Sequence, residues 1–446
     1  MPEKKSMYRW VVMALLFILY TVANADRANI GFALPYIRKE FEMSNTEAGG
    51  IISLFFFAYA AFQVPSGFLV KKLGNRATFT LGMAFTSICT GLIGTAGSVF
   101  ALKALRLCVG VAEAPVIIAS SATINSWFPA KEKGTATGIF LAGSKMGPLV
   151  VPVLCAWIIS VWGWREIFYF FMVPGVILSV IWFFLVANKP NDSKFVNAAE
   201  AEYIADKTVV EIKKDDKPKR VYKLAWLDKI VRAKKVELLS SSAQVFKSWD
   251  IWGVAFGYFF AVGLSSVFMS WLPTYLVTVK HFAIMKTAFV ASAPFAGTVV
   301  GNFFGGWFSD NILGKRRKPM MMVTALSTSI MMYCMLKSPE DPVLLGLLLF
   351  CAGVLLALGY SMYMAYGMGR ANKETYPIAW SIVNMGGQLG GACMPLIVGM
   401  ILDKFNWDAV WMTLAAGSII CFIIISSVIE PVDDPVTQET AERISA

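Results

Sequence analysis

Long apolar runs recur along the whole chain, and they limit its fold more than any other feature. Twelve can be drawn, at 8–34, 46–70, 77–96, 98–126, 134–160, 164–187, 249–278, 283–308, 319–337, 342–368, 375–402 and 407–430. Each is close to or above the roughly 20 residues that cross a bilayer as a helix. Lipid offers the backbone no hydrogen-bond partner, so such spans must be helical, and they lack the strict alternation of membrane strands. Only 15% of the 446 residues are charged, against about 25% in soluble domains. The expected fold is an all-α polytopic membrane protein of twelve transmembrane helices. The run at 12–25 lacks a cleavage site and meets Asp26-Arg27 at once, so it reads as part of the first span, not as a signal peptide.

Basic residues set the orientation. Lys4-Lys5, Lys71-Lys72-Arg76, Lys131 and Lys133, Lys315-Arg316-Arg317-Lys318, Arg370 and Lys373 collect on one side of the spans. The even-numbered connections are then cytoplasmic, with both termini inside. The expected location is a plasma membrane, such as the bacterial inner membrane. The chain divides into an N-terminal six-helix bundle (1–187), a polar central loop (188–247), a C-terminal bundle (248–432) and a cytoplasmic tail (433–446). The loop holds KKDDKPKR (213–220) and an amphipathic stretch, 224–239, which reads as a helix resting on the membrane surface.

Several functions are set aside on composition. The net charge of +11 resides mostly in cytoplasmic loops and calls for no nucleic acid. Seven cysteines are scattered singly, with no CxxC, and His281 is the sole histidine. No metal site, disulfide framework or Ser/His pairing is therefore expected. The phosphate loop G-x-x-x-x-G-K-[ST] is absent, which argues against ATP-driven transport. Neither enzyme activity nor a cofactor is expected.

Charges inside apolar runs are costly and mark function. Asp26 and Arg27 sit in YTVANADRANIGF (20–32), where apolar sequence resumes after the pair. Arg106 and Glu113 lie in the fourth run, seven residues apart and so on one helical face. About 10 Å separates them, so each needs a partner elsewhere. Gly110, between them, leaves room for a helix or ligand. A carboxylate removed from water takes a proton more readily unless a cation offsets it. Arginine keeps its proton and binds anions bidentately. Together these are the parts of a proton-coupled anion carrier.

A repeat supports two related halves. GFLVKKLGNR (67–76) follows the second run and GWFSDNILGK (306–315) the eighth, each with two glycines, a polar residue four positions after the first, and basic residues after the second. This pattern, with the six-plus-six arrangement, resembles the major facilitator superfamily and its G-x-x-x-D-[RK]-x-G-[RK]-[RK] loop. The resemblance implies a conformational latch at Gly67, Gly74, Arg76, Gly306, Asp310 and Gly314. Lys71 stands where the first copy should carry its aspartate.

DRANI (26–30), RLCVGVAEAP (106–115) and NSWFP (125–129) are similar to the superfamily's anion:cation symporters, which carry sugar acids and other organic anions. That resemblance implies proton coupling at Asp26 and Glu113 and substrate binding at Arg27. Arg106 would tune the acids. Tyr59, Gln63 and Asn384 fall where the family places substrate contacts; near Ser144, also expected to bind substrate, the sugar-acid members often carry a polar amide, from which this chain departs. Lys145, beside Ser144, either snorkels to the interface or adds a second cation to the cavity. The second reading favours a dianionic or sulfonated acid. The expected partners are a small organic anion, protons (sodium being the alternative ion) and membrane lipid, with the chain a monomer. Two rivals stay open. Gly134, Gly143, Gly147 and Pro148 are similar to a motif of proton-coupled drug exporters, whose closing glycines are Val151 and Pro152 here. A non-transporting nutrient receptor on the same fold is the other.

Overall fold

The computed structural model describes residues 5–129, 131–205, 225–314, 316–372 and 374–432. Lys4, the 213–220 cluster, Leu224, Lys315, Lys373 and the tail lie outside the described residues. The N-terminal helices are α1 (Tyr8–Glu40), α2 (Asn45–Ile93), α3 (Val99–Trp127), α4 (Lys133–Val161) and α5 (Arg165–Leu185). The central loop holds α6 (Ala198–Ala205), α7 (Ala225–Ile230), β1 (Ala233–Lys234) and α8 (Ser242–Lys247). Then come α9 (Trp249–Thr278), α10 (Ile284–Asn311), α11 (Lys318–Cys334), α12 (Pro342–Ala357), α13 (Tyr360–Arg370), α14 (Tyr376–Lys404), α15 (Trp407–Ser427) and β2 (Glu430–Pro431).

The helix starts are written locally. Ser44 and Glu47 form a reciprocal capping box at α2. Ser98, Asp341 and Asn406 cap α3, α12 and α15 with their side chains. Each satisfies backbone donors that a helix start leaves unpaired.

Ten stretches are individually long and apolar enough to cross a membrane. Helix α2 joins the stretches expected as spans at 46–70 and 77–96 and, taken as one bent span, adds an eleventh. Its 49 residues would extend about 70 Å if straight, more than twice the bilayer core. The helix breaks at Gly74, where φ is 80°. Beyond the break Thr78 Oγ1 donates to Leu69 O at 3.3 Å, so the chain turns back on itself. The span expected at 342–368 is instead interrupted, as α12 and α13. There the N–H of Gly359 donates to Thr324 Oγ1 at 2.7 Å, supplying the partner that the broken helix lacks.

The chain groups into two compact units, Met1–Asp216 with Met269–Ser292 and Lys217–Phe268 with Ala293–Ala446. In the first, α2 lies along α3 and α1 along α4. Glu200 of α6 accepts from the N–H of Tyr8 and Arg9, closing the start of α1, and Arg9 also pairs with Glu132 at 2.8 Å. In the second, α11 packs on α15.

The central loop rests one face of its amphipathic stretch on protein. Leu227, Val231 and Leu239 are buried in the core of the second unit. Asp228 accepts from Arg316 Nε and Nη2 at 2.5 and 2.8 Å. Strand β1 pairs in parallel with β2. An amphipathic pattern announces one covered face, and here protein covers it.

Candidate functional site

Helix α1 continues past Asp26-Arg27 to Glu40, so the pair sits deep within the helix and not at its edge. Asp26 is fully buried and neither carboxylate oxygen accepts a hydrogen bond from the described protein atoms. Arg27 Nε donates to Glu113 Oε1 at 2.6 Å, bringing α1 and α3 together. The other oxygen, Glu113 Oε2, is buried with no donor.

Two guanidiniums share an aromatic floor on α2. Arg27 lies 4.5 Å from the Tyr59 ring centroid and 5.3 Å from that of Phe55. Arg106 lies 4.8 Å from Phe55. A ring face attracts a cation through its quadrupole, most strongly where water is excluded. Arg106 is buried and its Nε has no acceptor. It stands within electrostatic reach of both Asp26 and Glu113.

Gly110 explains how the floor reaches the arginines. A Cβ there would meet Phe55 O, Ala58 Cβ and Tyr59 N. The room that Gly110 leaves is filled by α2 rather than by a ligand. Gly143 and Gly147 do the same for α4, whose backbone abuts Phe17 and Thr21–Ala25 of α1. Two of the glycines of the exporter-like pattern are thus contact points of helix packing, while Gly134 faces open space.

The remaining expected residues are less concentrated. Gln63 is half-buried one turn beyond Tyr59. Ser144 donates to Leu141 O at 2.7 Å, within its own helix. Lys145 is half-buried and interacts electrostatically with Arg27. Asn384 lies on α14, in the second unit, with Gln388 Nε2 donating to its Oδ1 at 3.5 Å. The latch residues flank two turns that end alike. Gly74 and Gly314 both take positive φ, at 80° and 61°. Arg76 Nε donates to Phe183 O at 2.6 Å, while Asp310 Oδ1 accepts from Arg317 Nη1 at 2.8 Å. Gly67 and Gly306 face open space.

Three polar or aromatic residues were not singled out from sequence. Asn29 is fully buried with both amide atoms unpartnered. It follows Asp26 by three residues, so helical spacing could have flagged it. Gln388 carries a buried, unpartnered Oε1 one turn beyond Asn384. Phe55 precedes Tyr59 by four.

Among the described residues no group of acids, cysteines and histidine could hold a metal ion. The Major Facilitator Superfamily model matches residues 16–377 and 289–445.

The chain belongs to the Major Facilitator Superfamily.

It is a transporter, not an enzyme. This superfamily member is 27% identical over 441 residues to the probable galactarate/D-glucarate transporter GarP of Escherichia coli K12, covering 95% of the chain and 96% of that protein. It is 26% identical over 419 residues to the D-galactonate transporter of Escherichia coli O6:H1, with 92% and 93% covered. It is 24% identical to the probable sulfoacetate transporter SauU of Cupriavidus necator, with 89% and 88% covered. In fold it is similar to the crystal structure of a D-xylose-proton symporter, with a TM-score of 0.70 at 15% identity, covering 95% of this chain and 98% of that one. The all-α, twelve-helix architecture expected from the apolar runs is thus the superfamily's own.

Proposed function

We propose that this transporter carries a small organic anion, a sugar acid or related carboxylate, together with protons, by alternating access. The observation that carries the reading is the Arg27–Glu113 ion pair at 2.6 Å beside an Asp26 with no donor. The relatives named as galactarate/D-glucarate and galactonate transporters support the substrate class.

The pair supplies a coupling chemistry. Arg27 gives its Nε to Glu113. Protonating Glu113 weakens that bond and frees the guanidinium for a substrate carboxylate, which binds in the same charge-assisted way. Asp26, buried without a hydrogen-bond donor, is the second proton carrier. Arg106 offsets the charge of the two acids electrostatically. Tyr59 and Gln63 on α2, and Ser144 and Lys145 on α4, are substrate contacts of the first unit, and Asn384 on α14 is one of the second. Neutralising the cluster lowers the cost of closing the helices over it. The turns at Gly74–Arg76 and Asp310–Gly314 latch the cytoplasmic side. The chain works in the plasma membrane with its termini in the cytoplasm.

An exporter of lipophilic cations fits poorly beside Arg27, Arg106 and Lys145. Uptake and counterflow of galactarate and galactonate in proteoliposomes test the proposal on Glu113→Gln. Counterflow should persist while proton-driven accumulation is lost. Undiminished accumulation would remove Glu113 from the coupling role.

A further inference from the structure

The strap formed by residues 225–249 presents two different faces. One is bound to the second unit. Leu227, Val231, Leu239 and Val245 are buried. Lys318 Nζ donates to Val231 O at 2.9 Å, and Thr375 Oγ1 donates to Leu239 O at 2.6 Å. Both carboxylates on this side are in ion pairs, Asp228 with Arg316 and Asp250 with Arg370.

Among the described residues the other face has no such cover. Trp226, Ile230, Leu238, Phe246 and Trp249 are between 51% and 64% exposed. Interleaved with them are Lys229, Arg232, Lys234, Lys235 and Lys247, all exposed, against a single exposed acid, Glu237. Large apolar side chains among lysines would be unusual facing water alone. They match the headgroup zone of a bilayer, where aromatic rings and basic side chains both find partners. The strap is also at the right depth. Trp249 opens the membrane span α9, and its Nε1 donates to Ser427 Oγ at the end of the span α15, at 2.8 Å. Beside them opens a cavity of about 620 Å³, with Arg232, Lys247, Trp249 and Arg370 on its walls together with Glu237 and Asp250, the latter paired with Arg370.

We propose that residues 225–249 are a docking surface for anionic phospholipid headgroups, with the apolar side chains entering the headgroup boundary and the cavity receiving lipid phosphate. The partner is lipid because the exposed face joins the ends of two spans and because, within 225–249, its exposed charges are mostly positive. Basic residues near an anionic surface each contribute roughly fivefold in affinity. The strap is then held from two sides, by protein and by bilayer.

The test uses the full chain in nanodiscs of phosphatidylcholine, with or without phosphatidylglycerol, followed by hydrogen exchange at the strap amides and by mass spectrometry of retained lipid. Phosphatidylglycerol should slow exchange across 226–238 and be retained in preference to phosphatidylcholine. In the variant Lys229→Gln/Lys234→Gln/Lys235→Gln that preference should fall roughly 100-fold, with exchange in pure phosphatidylcholine unchanged. These lysine side chains are exposed, so folding should survive. Equal exchange in the two lipids would overturn the proposal. So would protection that inorganic phosphate reproduces in phosphatidylcholine discs, or a lipid preference that persists in the variant. The outcome does not depend on transport, so it stands or falls apart from the proton-coupled reading.

Discussion

Arg27 and Glu113, 86 residues apart in sequence, are joined Nε to Oε1 at 2.6 Å between α1 and α3. The bond uses one edge of the guanidinium and leaves Glu113 Oε2 without a donor. Replacing Arg27 by lysine keeps the charge but removes the planar donor set. Losing a charge-assisted hydrogen bond is worth about 1.5–3 kcal/mol, so Arg27→Lys should weaken substrate binding roughly 10- to 150-fold. Equilibrium binding to purified protein checks this. Unchanged affinity would mean that Arg27 only steadies Glu113.

Asp26 should behave differently from its neighbour. It is buried without a hydrogen-bond donor, so its charged form is poorly solvated. Asp26→Asn keeps the shape and removes the charge. The expected outcome is a protein more stable by about 1 kcal/mol that no longer accumulates substrate against a gradient. Denaturation in detergent and proteoliposome uptake measure the two effects. A fall in stability would show that Asp26 is held by a partner not described here.

Much of this site was legible because charge inside an apolar run is conspicuous. Asp26, Arg27, Arg106 and Glu113 stand out on that ground alone. The aromatic floor was not legible, since Phe55 looks like any ring in a membrane helix and only the approach of α2 to Gly110 gives it a role. The same applies to fold details. Twelve runs predict twelve spans, but not that α2 turns back at Gly74 or that the tenth span breaks at Gly359. The pattern of Leu227 and Val231 against Trp226 and Ile230 shows two faces. It does not say that one of them meets Arg316 and the core of the second unit.

Gly110 offers a test of the floor without touching a charge. A methyl group there collides with the backbone of Phe55 and Tyr59, which cannot yield as a side-chain tip can. Gly110→Ala should push α2 outward and loosen the rings from both arginines. Overpacking of this kind costs about 1–3 kcal/mol. Substrate affinity should fall although residue 110 faces no ligand. If melting and binding are both unchanged, the helices are not packed as closely as the geometry requires.

A pH effect is expected at the base of α15. Burial pushes Glu430 up to about 7, against an ordinary value of 4.5. It accepts from the N–H of Arg317 and Lys318 at 3.0 and 2.6 Å and belongs to the β2 partner of the strap. A raised value means that the folded protein holds the proton more tightly than the unfolded chain. The stabilisation is therefore complete below pH 4.5 and is lost as pH rises through 7. Thermal midpoints of the wild type should decline across that window. Those of Glu430→Gln should stay flatter, and parallel curves would assign the decline to other groups.

Lys145 bears on which anion is carried. It is half-buried on α4 and acts electrostatically on Arg27. The cluster then counts three cations, Arg27, Arg106 and the half-buried Lys145, against two acids, Asp26 and Glu113. With both acids ionised the net charge is +1. In a cycle that moves one proton, on either Glu113 or Asp26, an entering dianion brings it to zero, the state that is cheapest to close away from water. A monoanion entering with one proton leaves +1. Removing the lysine charge reverses the preference, since the cluster starts at zero and a monoanion with one proton returns it to zero. Lys145→Met should thus depress uptake of galactarate about tenfold or more, while galactonate uptake is retained or rises. Competition between the two in proteoliposomes reads the ratio directly. An unchanged ratio would place Lys145 outside substrate recognition and leave its ammonium at the membrane interface.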